Sequence, residues 1–111
     1  MTVKDIFENR SMRLNDVYEE MFVLTEQAFL EEFGVTAESL IKNKYKRPYP
    51  YLKTIYVHYL LDKGIPLKNI ADRLKVACSS ARNFYYIYND NYRYIPEFRD
   101  LADRFNRRFK D

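Results

Sequence analysis

The sequence is poor in the residues that most often announce chemistry. It has two glycines, Gly34 and Gly64, set far apart, so neither a P-loop nor a dinucleotide-type phosphate loop can be written on it. Nucleotide hydrolysis is disfavoured on that ground. A single cysteine, Cys78, excludes an internal disulfide, and a single histidine, His58, leaves no cluster of soft ligands for zinc. No metal and no cofactor is expected. No apolar run approaches the roughly 20 residues that cross a bilayer, and the opening MTVKDIFENR carries acids where a secretory leader needs an unbroken apolar core. A soluble, cytoplasmic protein is expected.

What is present points to one helical domain. The 111 residues are 47% hydrophobic and 32% charged, a globular balance with enough apolar mass for a single modest core. Charge is unevenly divided. Residues 1–40 hold three Lys or Arg against nine Asp or Glu, net −6, whereas residues 41–111 hold sixteen against seven, net +9. Two readings follow: the second part meets a polyanion, or the two parts attract each other within the fold.

Leu14, Val17, Tyr18, Met21, Phe22, Leu24, Ala28, Phe29 and Phe33 recur at three- and four-residue steps, which predicts a long acidic helix ended by Gly34. Thr36 can cap a short helix to about Lys42. The stretch KNKYKRPYP interrupts helix because its prolines lack amide hydrogens. Helices are then expected over 51–63, from Pro66 to Leu74, from Cys78 or Ser79 to about Arg93, and from Pro96 with Phe98, Leu101, Ala102, Phe105 and Phe109 inward. The Asn89-Asp90-Asn91 run is a second candidate end for the penultimate helix. No strand pattern is visible, so the expected class is all-α, a helical bundle with an extra acidic N-terminal helix.

The stretch IADRLKVACSSARNF suits two helices meeting at a bend. A helix-turn-helix needs a small residue where its helices cross, apolar neighbours one turn away and an apolar plug at the bend. Ala71 is the small residue, Ile70 and Leu74 flank it, Val76 is the plug, and Ala81 and Phe84 complete the core side. Lys75 departs from the pattern, because the bend favours positive φ and a non-glycine residue there costs on the order of 1 kcal/mol. An ordinary helical hairpin shares the same small and apolar spacing. The outward residues Cys78, Ser79, Arg82, Asn83 and Tyr86 have chemistry suited to a major groove, since Arg pairs with guanine, Asn with adenine, and Ser with base edges or phosphate.

From about Lys44 to Phe109 the order of parts resembles the C-terminal DNA-binding domain of the bacterial replication initiator DnaA, a helix-turn-helix module of the Trp-repressor-like kind. The likeness rests on the Arg47-Pro48 pair in a basic connector, a helix ending in Tyr59-Leu60, the Leu67-Lys68-Asn69-Ile70 motif, the bend, a recognition helix, and a closing helix acidic at its start and basic at its end. The resemblance implies a docking mode, with Ser79, Ser80, Arg82 and Asn83 in the recognition-helix slots and Lys46 and Arg47 in the connector. The family's Gly-Gly-Arg-Asp-His-Thr-Thr signature is replaced by Lys75-Val76-Ala77-Cys78-Ser79-Ser80, so its cognate sequence does not carry over. Residues 1–43 have no counterpart in it, and the family's ATPase is absent.

The connector mixes Lys42, Lys44, Lys46 and Arg47 with Tyr45, Tyr49 and Tyr51, which suits either a phosphate track or a solvated loop. Tyr85, Tyr86, Tyr88, Tyr92 and Tyr94 are expected mostly in packing. His58 is expected to face solvent or a hydrogen bond, and Ser79 and Ser80 to serve as helix cap and groove contacts. The acidic helix carries more apolar surface than one face hides, so it either wraps the core or pairs with a second copy of the chain, setting recognition helices roughly 34 Å apart.

The reading is a protein without enzymatic activity that binds double-stranded DNA through Lys46, Arg47, Lys68, Lys75, Ser79, Ser80, Arg82, Asn83 and Tyr86. Transcription regulation or replication is the expected setting. Residues 1–43 would be an extension packed on a binding domain formed by 44–111. The alternative is a protein–protein interaction module using the acidic helix or the tyrosine-rich face.

Overall fold

Each helix begins or ends where local chemistry dictates. In a computed structural model, which describes residues 13–109, the elements are α1 (Leu14–Phe33), α2 (Ala37–Lys42), α3 (Tyr49–Asp62), α4 (Leu67–Leu74), α5 (Cys78–Tyr94) and α6 (Pro96–Arg107). The described residues contain no strand, and the class is all-α. The leader reading of MTVKDIFENR falls outside them. No helix among them is long and apolar enough to cross a membrane.

α1 stops at Gly34, whose φ of 67° turns its N–H onto the Leu30 carbonyl at 2.9 Å. Thr36 opens α2 through a capping box, its hydroxyl accepting from the Ser39 N–H while the Ser39 hydroxyl accepts from the Thr36 N–H, both at 3.1 Å. α3 starts at Tyr49, two residues ahead of the expected boundary. Pro50 is accommodated because the first turn leaves its amide positions without intrahelical partners anyway. α5 passes through Asn89-Asp90-Asn91 without interruption and ends at Tyr94.

α3 is the hub, packed against every other helix. Its residues from Leu52 to Val57, together with Leu60, are buried, so it is covered nearly all round. The apolar spacing over 51–63 puts Leu52, Ile55, Tyr56, Tyr59 and Leu60 on one inward face. Tyr59 is only half-buried, and Lys53, Thr54 and Val57 are buried as well. Around α3, one apolar cluster joins Val17, Met21, Phe22 and Phe29 of α1 and Leu40 of α2 to Ile70 and Leu74 of α4 and Phe98 and Phe105 of α6. Phe29 makes edge-to-face contacts with Phe33, Tyr56 and Phe105 at ring separations of 5.5, 5.6 and 5.0 Å. Phe109, expected inward, is 41% exposed. α6 ends at Arg107, so the periodicity that would turn Phe109 inward has already lapsed, and its ring rests on Tyr59 and Phe105 from outside.

The uneven charge is partly spent inside the molecule. Arg73 of α4 places Nε and Nη2 on the Glu26 carboxylate, each at 2.9 Å, and Nη1 on Glu19 at 2.8 Å. The Tyr56 hydroxyl donates to the same Glu26 at 2.8 Å, and the Arg73 guanidinium lies 5.0 Å above the Phe22 ring. Arg104 holds the carboxylate and carbonyl of Glu32 at 3.1 and 2.9 Å, and Arg108 engages Glu31 and Glu32. Three arginines of the basic part thus pin the acidic helix, and the attraction between the two parts is real.

Candidate nucleic-acid interface

α4, a three-residue turn and α5 form a helix-turn-helix, and its geometry follows from small residues. Ala71 is 1% exposed and Ala81 fully buried, which lets the two helices approach closely. Lys75 adopts the left-handed conformation, φ 57° and ψ 45°, at the position where the sequence predicts it. Its N–H bonds the Ala71 and Asp72 carbonyls, and the Val76 N–H donates to the Ala71 carbonyl at 3.0 Å. These bonds close the end of α4 in a Schellman-type turn. Val76 then packs against the core, half-buried.

Ala77 occupies the N-cap position ahead of α5, and no side chain caps that helix. Ser79 and Ser80 are therefore not caps, in contrast to the expectation: they sit inside the first turn, two and three residues past the capping position. Both are exposed. Beyond them Arg82, Asn83 and Tyr86 continue one outward face, and Tyr86 is 69% exposed. The side chains of Ser79, Ser80, Arg82 and Asn83 make no hydrogen bond or ion pair with the described residues. Asp90 lies further along the same face, also exposed.

The expected basic residues are all exposed but do not converge on one point. Lys75 lies at the turn beside Lys44 and Tyr45 of the connector, on the rim of a shared cavity. Lys46 and Lys68 are exposed without carboxylate partners among the described residues. Arg47 is engaged elsewhere: its guanidinium is 3.9 Å from Glu97 at the start of α6 and 6.0 Å from the Tyr51 ring.

Sequence reasoning missed Lys53, the most buried cation of the region, at 2% exposure. It lines the same cavity as Lys44 and Lys75, and burial, followed by the neighbouring Lys44 charge, holds its ammonium below the usual lysine range. Nothing in the spacing of Leu52-Lys53-Thr54 signals this, because it depends on the connector and α5 closing over α3.

His58 has a structural role. Its ring stacks on Tyr88 at 3.7 Å and on Tyr85 at 5.0 Å, and Nδ1 is 3.5 Å from the Asp62 carboxylate. Burial lowers its pKa, with Asp62 pulling the other way. The Tyr85 hydroxyl donates to Asp62 at 3.1 Å, so this group fastens α5 to α3. Asp62 stands one helical turn after His58, a signal the sequence did carry. The tyrosines divide: Tyr85 and Tyr88 pack, whereas Tyr86, Tyr92 and Tyr94 are exposed.

Comparison of the chain with protein-family models, with curated proteins and with solved structures finds no match.

Proposed function

We propose that this protein binds double-stranded DNA without catalysis, laying the first half of α5 in the major groove. One observation carries the reading: Ser79, Arg82, Asn83 and Tyr86 stand exposed on one face, and the hydrogen-bonding groups of the first three lack partners within the described protein. That face is held out by a turn whose supports, Ala71 and Ala81, are buried. Free donors and acceptors on a rigidly presented helix suit base-edge readout. Lys44, Lys46, Lys68 and Lys75 supply phosphate contacts. On this reading residues 44–109 dock as the DnaA binding domain they resemble, in transcription regulation or replication.

The test compares wild type with the Arg82→Ala/Asn83→Ala double variant on random duplexes and on a site selected from a random pool. Losing two base contacts should cost about 2–6 kcal/mol on the selected site and far less on random DNA. With about five phosphates neutralised, log affinity should fall against log salt with a slope near −4.5. Unchanged binding on both duplexes would refute the assignment of α5.

A second reading has its own observation. Val23 and Leu30, two turns apart on the outer side of α1, are 51% and 44% exposed, with Leu24 beside them at 51%. Such a patch favours an interaction face with a second copy of the chain as the occupant. Leu24→Ser/Leu30→Ser should then lower the sedimentation coefficient at high protein concentration, whereas a monomer at all concentrations would eliminate it.

A further inference from the structure

The cavity between the connector, α3 and the start of α5 is built from cations. Lys44 comes from the connector, Lys53 from α3 and Lys75 from the turn, with Ser80 on the α5 side and Ile41 and Phe84 as apolar walls. No carboxylate among the described residues lines it. Its volume of about 330 Å³ falls at the low end of the roughly 300–1,000 Å³ range of small-ligand pockets.

Two independent features point to the same ligand chemistry. α5 is 17 residues long and starts with no side-chain cap, so its first-turn amides keep free N–H groups and the positive end of the helix dipole beside the cavity. Lys53 is 2% exposed, lines the cavity, and has no hydrogen bond or ion pair with any described residue. No side-chain nitrogen among the described residues is both sealed from solvent and unpartnered. The Lys53 ammonium therefore keeps part of the little surface that the residue has, and Lys53 lines the cavity. A buried lysine beside two further lysines is unfavourable unless an anion joins them.

We propose that this cavity is a binding site for one phosphate group, with the Lys53 ammonium at its floor, Lys44 and Lys75 at its rim, and the first-turn amides of α5 and the Ser80 hydroxyl as donors. The proposal rests on the DNA reading only for the source of the phosphate, which is a backbone phosphodiester of a bound duplex or a free phosphate. As a backbone contact it fixes the register of α5, because the phosphate is gripped at the end of the helix that reads the bases.

Lys53→Met tests it, since methionine keeps most of the buried stem and removes the charge. In a titration of the full chain with inorganic phosphate against chloride at matched ionic strength, amide resonances of 77–80 should shift and saturate in wild type. The apparent dissociation constant should rise at least tenfold in Lys53→Met. Lys44→Ala, at an exposed position, should weaken the same response by a smaller factor and serves if Lys53→Met does not fold. With a duplex as source, Lys53→Met should also make the salt slope shallower by about 0.9, equally on random and selected DNA. With a free phosphate as source, the duplex slope is unchanged while the phosphate response is lost. Saturable phosphate binding in a protein that ignores duplex DNA would remove the DNA reading and leave this site standing. A non-saturating phosphate response together with an unchanged duplex slope in both variants overturns the site.

Discussion

At the scale of single residues, two left-handed positions carry opposite predictions. Gly34 has φ 67°, and a Cβ built there meets nothing within 4 Å, so Gly34→Ala isolates the backbone cost. It should lower the unfolding free energy by about 1 kcal/mol. Lys75 sits at φ 57° with a side chain already in place. Lys75→Gly should raise stability, by less than about 1 kcal/mol, because the freer unfolded chain offsets part of the relief. Lys75→Ala separates conformation from charge, since it keeps the Cβ and removes the ammonium. Urea midpoints moving the same way for Gly34→Ala and Lys75→Gly would contradict this account. Both positions were legible in the sequence because their signals are local: an apolar period that ends, followed by a residue that must turn the chain. Lys53 was not legible. A lysine next to Leu52 reads as a solvated neighbour, and only the connector folding back makes it buried.

The helix-turn-helix was legible as an element for the same reason. Ile70, Ala71, Leu74, Val76 and Ala81 declare the crossing through size and spacing alone. The coverage of α3 was not, because a helix that touches all the others has no single apolar face to recognise, and its sequence YPYLKTIYVHYLLD scatters tyrosine, threonine and lysine around it. Ala71 tests the crossing directly. With 1% exposure beneath α5, it has no room for a branched side chain, so Ala71→Leu should cost about 1–3 kcal/mol by overpacking. The damage should extend to function, because α5 can relieve the clash only by tilting away and misplacing Arg82 and Asn83. Ala71→Gly keeps the approach open and costs about 1 kcal/mol of helix propensity. It should bind a selected duplex as wild type does. Chemical denaturation and duplex titration of the two variants together check the point, and equal duplex binding by Ala71→Leu would show that α5 does not depend on this contact.

At the scale of the whole molecule, the sequence left open whether the charge division serves a partner or the fold, and the structure divides the labour. Arg73, Arg104 and Arg108 hold α1 in place, whereas the cations around the start of α5 have no acids to hold among the described residues. The tyrosines give the molecule a pH response of definite sign. Burial raises the phenol of Tyr56, with Glu26 adding to it, and burial also raises Tyr59 and Tyr88. Hydrogen bonds to Asp62 and Asp103 raise Tyr85 and Tyr92. Below pH about 10 both folded and unfolded chains keep these protons, and their contribution to stability is complete. Above it the unfolded chain releases protons that the folded chain retains, so stability falls as pH rises, by up to about 1.4 kcal/mol per pH unit for each proton held by the buried phenols of Tyr56, Tyr59 and Tyr88. Lys53 opposes this, because its lowered pKa lets the folded chain release a proton first below about 10.5. It is one group against several, and the decline wins. The urea midpoint should therefore not fall before about pH 9.5 and should drop steeply by pH 11, and Tyr56→Phe should flatten the drop by one proton's worth. A midpoint that holds or rises through pH 11 would mean that these phenols ionise as readily in the folded protein as in the unfolded chain.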